Sequence, residues 1–350
     1  MITTLIYGLT CSVLLMAAPG GWAASETQTS EAIKAADQGQ FHFASNEIGG
    51  LSGITYLGKD RFAVVSDKGG LLGLATIKVD RKTGEIISAT IDELIVLEGG
   101  RDIEDLAVAP TTGMLLTVDE ADQSLSLHHY PTGKRAGQAM VPAVFRQARP
   151  NLGFESVSVS MGDGSVWAAN EEPLKGDGPR ATKESGGLIR LQRFDSDLKP
   201  AEQFAYLLDP HRGSDNIIER AQSGVAGLVA LPDGRLLVME RELGGEVLPT
   251  FRIRLYLINT EDATDTSRID SLTKQEVAPV RKQLLFESNT GPANFEGIAL
   301  GPKLDDGDYV LILVSDDGSG KYNPQNLLSL RLSSEVVESR SPRSNSASAD

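Results

Sequence analysis

The stretch that decides the fold is "NFEGIALGPKLDDGDYVLILVSDDG", residues 294–318. A carboxylate, Glu296, stands at the mouth of a short apolar run. An Asp-Gly turn follows at Asp306-Gly307, and a second apolar run ends on Asp316 and Asp317. Aliphatic runs joined by Asp-Gly describe a β-hairpin, because both residues tolerate the backbone angles the turn demands. The same phrase recurs as "LSGITYLGKDRFAVVSD" (51–67), "IEDLAVAPTTGMLLTVDE" (103–120), "FESVSVSMGDGSVWAANEE" (154–172) and "VAGLVALPDGRLLVMERE" (225–242). Further strands follow each hairpin, for example "LLGLATIKVD", "SLSLHHYP", "GGLIRLQRFD" and "FRIRLYLIN". Fourth strands are expected at "ATIDELIVLE", "AMVPAV", "QFAYLLD" and "RKQLLFES".

A fixed-period unit of four antiparallel strands is the signature of a β-propeller blade. Five blades are counted directly. A sixth would need a diverged blade in the long 171–225 or 242–294 segment. The fifth unit runs out of chain after its third strand, and "GQFHFAS" (39–45) is a spare strand at the other terminus. We expect that N-terminal strand to complete the last blade, so the propeller domain covers 39–333. Each first strand carries a branched aliphatic (Ile54, Leu106, Val157, Leu228, Ile298) followed by a mostly small residue (Thr55, Ala107, Ser158, Val229, Ala299). The aliphatic is expected to fill the space between blades, and the small residue to relieve crowding near the axis.

The 350 residues carry a formal charge of −15, which disfavours nucleic acid and favours cations. The start of the chain, 1–24, reads as a secretory signal ending near Ala23 or Ala24, which implies a periplasmic or extracellular protein. Its retention as a membrane anchor is the alternative. The one cysteine, Cys11, lies in this segment, so a disulfide framework and a thiolate site are excluded from the mature chain. No later segment is apolar enough to span a membrane. The Ser-rich end, 334–350, is expected to be a disordered tail.

If the first strand of each blade is innermost, its start and the end of the second strand meet at one mouth of a central channel. Glu104, Glu155 and Glu296 occupy the start in three blades, with Ser52 and Ala226 in the others. Asp67, Asp119, Asn170, Glu240 and Asp316 close the second strands, with Glu120, Glu171 and Asp317 beside them. So many carboxylates cannot all stay ionised without protons, basic groups or a cation. Ca²⁺ suits such oxygen donors. On this basis Asp67, Glu104, Asp119, Glu240, Asp316 and Asp317 are candidate metal ligands, and Glu155, Glu296 and Arg241 are candidate catalytic residues. Structural capping of strand ends is the competing role. Arg149, Asn151 and His211 are candidate substrate contacts; His42, His128 and His129 are not. No G-x-S-x-G, H-E-x-x-H or P-loop motif is present.

The phrases "RDIEDLAV", "NLGFESVSV", "GVAGLVALPDGRLLVMERE", "NFEGIALGP" and "LVSDDG…QNLLSLRL" resemble, in order, the phytase-like family, also called esterase-like activity of phytase. The resemblance spans about residues 49 to 332. It implies an exported bacterial propeller and hydrolysis of phosphoesters or phosphodiesters. It places the family's acids on Glu104, Glu155, Glu240, Glu296, Asp316 and Asp317, with Arg241 and Asn151 also matching. The function expected is a calcium-assisted hydrolase of small phosphorylated molecules, acting as a monomer. A non-catalytic binding propeller and a lactonase-type calcium hydrolase are the alternatives.

Overall fold

The computed structural model describes residues 28–44, 48–109, 112–215, 220–318 and 325–338. The expected signal segment with Cys11 lies outside these residues. Strand β1 is Gln28–Thr29 and β2 is Ile33–His42. Blade one is β3 (Leu51–Gly58), β4 (Arg61–Ser66), β5 (Leu71–Val79) and β6 (Ile86–Val96). Blade two is β7 (Ile103–Val108), β8 (Leu115–Asp119), β9 (Ser124–His128) and β10 (Arg135–Gln138). Blade three is β11 (Phe154–Val159), β12 (Val166–Asn170), β13 (Leu188–Phe194) and β14 (Pro200–Leu207). Blade four is β15 (Gln222–Ala230), β16 (Leu236–Gly244), β17 (Thr250–Asn259) and β18 (Arg281–Gly291). Blade five is β19 (Asn294–Lys303), β20 (Tyr309–Asp316) and β21 (Asn326–Leu332).

Each blade pairs its strands antiparallel in chain order, and β1 adds a short fifth strand outside β18. Blade five gains its outer strand from β2, which pairs antiparallel with β21. Each innermost strand packs on the next, β3 on β7, β7 on β11, β11 on β15, β15 on β19 and β19 back on β3, so the ring of five is closed. No helix among the described residues is long and apolar enough to cross a membrane.

The core is divided into five seams, one between each pair of neighbouring blades. A strand buried on both faces supplies both seams in alternation. On β4, Phe62 and Val64 face blade five while Ala63 and Val65 face blade two. Ile54, Leu106, Val157, Leu228 and Ile298 are buried, each in the seam with the preceding blade. The residue after each does not crowd the axis as expected. Ala107, Val229 and Ala299 lie in the seam with the following blade. Ser158 uses its Oγ there to accept the Ala230 N–H at 2.9 Å.

Two local expectations change. The outer strand of blade two is Arg135–Gln138 rather than "AMVPAV". Pro142 has no N–H to give a ladder, and the following residues Ala143–Gln147 turn into a 3₁₀ helix. Of the expected tail, Ser334–Glu338 form a helical turn with Val336 and Val337 buried in the seam between blades four and five. Positions 339–350 lie outside the described residues.

Candidate functional site

All five inner hairpins carry a β-bulge at the same place. The ladder passes from Leu51 to Gly53, Ile103 to Asp105, Phe154 to Ser156, Val225 to Gly227 and Phe295 to Gly297. The skipped residues are Ser52, Glu104, Glu155, Ala226 and Glu296. A bulge leaves its extra residue unpaired and re-aims the side chain. The recurring first anchor of the sequence is therefore the bulged residue of each blade, turned towards its counterparts.

The second ring is one residue further along the returning strands than the sequence reading had it in three of the five blades, those closed by Asp119, Asn170 and Glu240. Opposite the residue before each bulge stand Ser66, Asp119, Asn170, Glu240 and Ser315. These side chains serve the blades. Asp119 accepts the N–H of Arg101 at 2.9 Å and of Ala121 at 3.0 Å. Asn170 accepts the Arg190 N–H at 2.9 Å, and Ser315 accepts that of Asn326 at 2.8 Å. Glu240 is buried between blades three and four, where Tyr206 donates to it at 2.7 Å and Lys282 at 2.7 Å. Side chains alternate along a strand, so a one-residue step changes their face. The next positions, Asp67, Glu120, Glu171, Arg241 and Asp316, join the bulged residues at the channel mouth. Asp119 and Glu240 are thus not candidate ligands. Asp317 turns away as well, accepting the Gly50 N–H at 3.0 Å.

Four acids and one arginine make this second ring. Arg241 donates to Glu296 at 2.6 Å and to Asn294 at 3.0 Å, and forms an ion pair with Glu171. Asn294 donates in turn to Glu296 at 2.6 Å. The guanidinium fork is well suited to hold two carboxylates. Its neighbours push Arg241 further above its ordinary pKa against the opposing effect of burial.

The remaining acids are less well matched. One oxygen from each of Asp102, Glu104 and Glu120 lies within 4.8 Å of the others. Among the described residues Glu104 and Glu155 accept no hydrogen bond, whereas Glu120 accepts the N–H of Gly153. Burial, then the repulsion of Glu296 and Asp102, holds Glu104 well above the carboxylate range. Burial, then Glu171 and Glu104, does the same for Glu155. Burial raises Glu296 to about 8 although Arg241 opposes it, Glu120 to about 7 and Asp67 to about 6. Asp316 is raised by burial too. Lys68 sits at the rim with its Nζ 3.6 Å from Asp67 and its side chain 43% exposed.

The expected substrate contacts do not gather here. Arg149 donates to the carbonyls of Pro173 at 3.0 Å and Gly178 at 3.1 Å, fixing a loop of blade three. Asn151 is exposed in a left-handed turn at φ 57°. His211 turns its Nδ1 to the Gly213 carbonyl at 3.2 Å. Conversely, Asp102, Glu120, Glu171 and Lys68 belong to the site and were not singled out as ligands. Aligning the bulges would have found two of them, Glu120 and Glu171, in place of Asp119 and Asn170.

A sequence profile described as "Phytase-like: Esterase-like activity of phytase" matches residues 46–318. No curated protein matches the sequence. Among solved structures, the chain is similar to a streptogramin B lyase structure at 11% identity and TM-score 0.37, over 85% of this chain and 99% of that one. It is also similar to a PQQ-bound aldose sugar dehydrogenase from Streptomyces coelicolor at 13% identity and TM-score 0.38, over 88% and 98%. At these TM-scores the likenesses carry no argument. The profile covers most of the chain and both acidic rings, and the protein belongs to the phytase-like family, esterase-like activity of phytase.

Proposed function

We propose that the channel mouth holds a divalent cation and hydrolyses phosphoesters, in a protein exported from the cytoplasm and acting as a monomer. One observation carries the reading: Asp102, Glu104 and Glu120 converge on a point, and among the described residues no basic side chain forms an ion pair with Glu104. The donor set is all carboxylate, without thiol or imidazole, and that chemistry fits Ca²⁺. Asp102, Glu104 and Glu120 would hold it, while Glu296 is the strongest charged neighbour of Glu104 and Glu171 that of Glu155. A bound Ca²⁺ supplies Lewis-acid polarisation and offsets the phosphate charge.

The chain's own groups then divide the work. Glu155, buried and without a hydrogen bond among the described residues, would orient the attacking water and accept its proton once the cation's charge lowers its raised pKa. Arg241 is a positioning residue rather than a phosphate contact, because its fork is committed to Glu171 and Glu296. Lys68 is the exposed cation at the rim and meets the incoming substrate. The commitment of Arg241 also favours a second reading, a ligand-binding propeller whose acids only hold an ion.

Activity of the purified protein towards a panel of phosphomonoesters and phosphodiesters, with calcium added or chelated, tests this. Hydrolysis should require calcium, and Glu104→Gln should weaken calcium binding and lower the rate by about 10²-fold or more. Undiminished hydrolysis after chelation would sink the mechanism. A calcium-stabilised but inactive protein establishes the binding reading, and turnover of lactones alone establishes a lactonase-type hydrolase.

A further inference from the structure

The seam between blades three and four changes character along its length. Side chains alternate along a strand, and residues paired across two strands share a face. On blade four, Val238 and Tyr256 pack with Tyr206 of blade three. Further towards the mouth the same face turns polar. Glu240 pairs with Arg254 and Glu242 with Arg252, and Arg254 pairs in turn with Glu287. The loop after β14 covers this end. The N–H groups of Arg212 and Gly213 donate to Glu242 Oε1 at 3.0 and 2.7 Å, and Arg254 takes the other oxygen. Glu240, 3.7 Å from Arg254, is answered by Lys282 at 2.7 Å. Both carboxylates are thus matched, and what is left over is cationic. Arg212, Arg252 and Arg254 all donate to one oxygen, Glu287 Oε1, at 2.8, 3.1 and 3.4 Å. Arg212 and Arg252 each use a single side-chain N–H there, and among the described residues their remaining side-chain N–H groups meet no acceptor. Both guanidinia line a cavity of about 80 Å³, together with Glu242, Thr250, Gly213 and Gly244. They are presented to solvent, with side chains 60% and 26% exposed, while Glu287 is buried behind them.

We propose that this cavity binds a phosphate group, free or at the end of a small ester. Water takes roughly 30 Å³ in the liquid, so the space suits one tetrahedral oxyanion in place of a few waters. Two guanidinia on separate elements exclude a cation, and a neutral ligand would leave their charge unanswered. A single carboxylate oxygen cannot satisfy two forks. A phosphate turns oxygens to both at once, whereas a carboxylate ligand, with two oxygens, fills one fork. Thr250, two residues before Arg252 and so on the same face, adds a hydroxyl that can donate to a third oxygen. The site adjoins the channel mouth, since Glu242 follows Arg241. It shares no residue with the acidic rings and does not rest on the cation or the reaction assigned there.

Isothermal titration of the metal-free protein with inorganic phosphate and with glycerol 3-phosphate should show saturable binding at one site. The tighter of the two identifies the source of the phosphate group. Arg212→Gln should weaken binding about tenfold, the scale of one charge-assisted hydrogen bond. Arg252 and Arg254 still answer Glu287 in that variant, so it should melt as the unsubstituted protein does without phosphate. Arg212→Gln combined with Arg252→Gln should abolish binding. Glu104→Gln should bind phosphate undiminished in the absence of metal, which separates a failure of this site from a failure of the channel reading. The proposal is overturned if neither phosphate compound binds saturably. It is equally overturned if Arg212→Gln binds undiminished, or if acetate binds as tightly as phosphate.

Discussion

Arg241 is the residue on which the acidic mouth balances. It is the one basic member of a ring whose other members are Asp67, Glu120, Glu171 and Asp316, and it touches carboxylates from blades three and five. Removing one partner of a buried ion pair leaves the others uncompensated, at a cost of about 3–5 kcal/mol. Arg241→Ala should therefore lose stability on that scale in denaturant melts, with part of the loss recovered at pH 5, where Glu296 is protonated. Loss of less than about 1 kcal/mol, the scale of exposed pairs, would show that the ring is solvated instead.

The acids themselves give a pH dependence of definite sign. Asp67, Glu120 and Glu296 are raised by burial to about 6, 7 and 8, above the ordinary carboxylate value. Between that ordinary value, about 4, and these values the folded state binds more protons than the unfolded chain, so stability falls as pH rises. The melting temperature in chelator should decline from pH 5 to pH 8. Calcium should restore it most at pH 8, because the cation competes with the same protons. A flat or rising profile in chelator contradicts the assignment.

At the scale of elements, the bulge is the unit that builds the mouth. It was legible only in part. The hairpins, their turns and the acid at Glu104, Glu155 and Glu296 follow from the sequence pattern, because period-two alternation and Asp-Gly turns are local signals. The bulge is not local: it exists only in the register between two strands. Without it, the closing residues of blades one and five were matched to Asp119 and Glu240, and two faces of the returning strand were mixed. Pro142 is the opposite case, a local signal that should have ended the strand expected at "AMVPAV". The glycine after the bulge makes a further test. A Cβ at Gly297 would stand 2.7 Å from Val314 Cγ2 and 2.9 Å from Gly53 Cα. Gly297→Ala should cost about 1–3 kcal/mol, the penalty of forcing atoms into a filled core. A neutral effect in thermal melts would mean that blades one and five are not in contact there.

The whole molecule is held by closure. Blade five takes three strands from the end of the chain and one from its beginning, and Ile33 and Phe43 are buried in the two seams that flank it. That closure was legible because the fifth repeat lacked a strand and the N-terminal region had one spare. Deleting residues 28–44 should expose the edge of β21, lower the melting temperature and produce aggregates on size-exclusion chromatography. Adding the missing segment as a peptide should reverse part of the effect. A monomeric truncated protein with an unchanged melt would show that β2 is dispensable.

The pairing of Ile33 with Leu332 joins positions 299 apart in the chain. It sets an order on biogenesis. The intermediate blades can assemble as the polypeptide leaves the ribosome, but β2 has no partner until β21, roughly 300 residues later, has been made. Contacts of such long separation form slowly, and an unpaired edge is open to other chains meanwhile. The price of a ring without loose edges is thus a growing chain that carries one throughout its synthesis, the point at which a chaperone would have most to do.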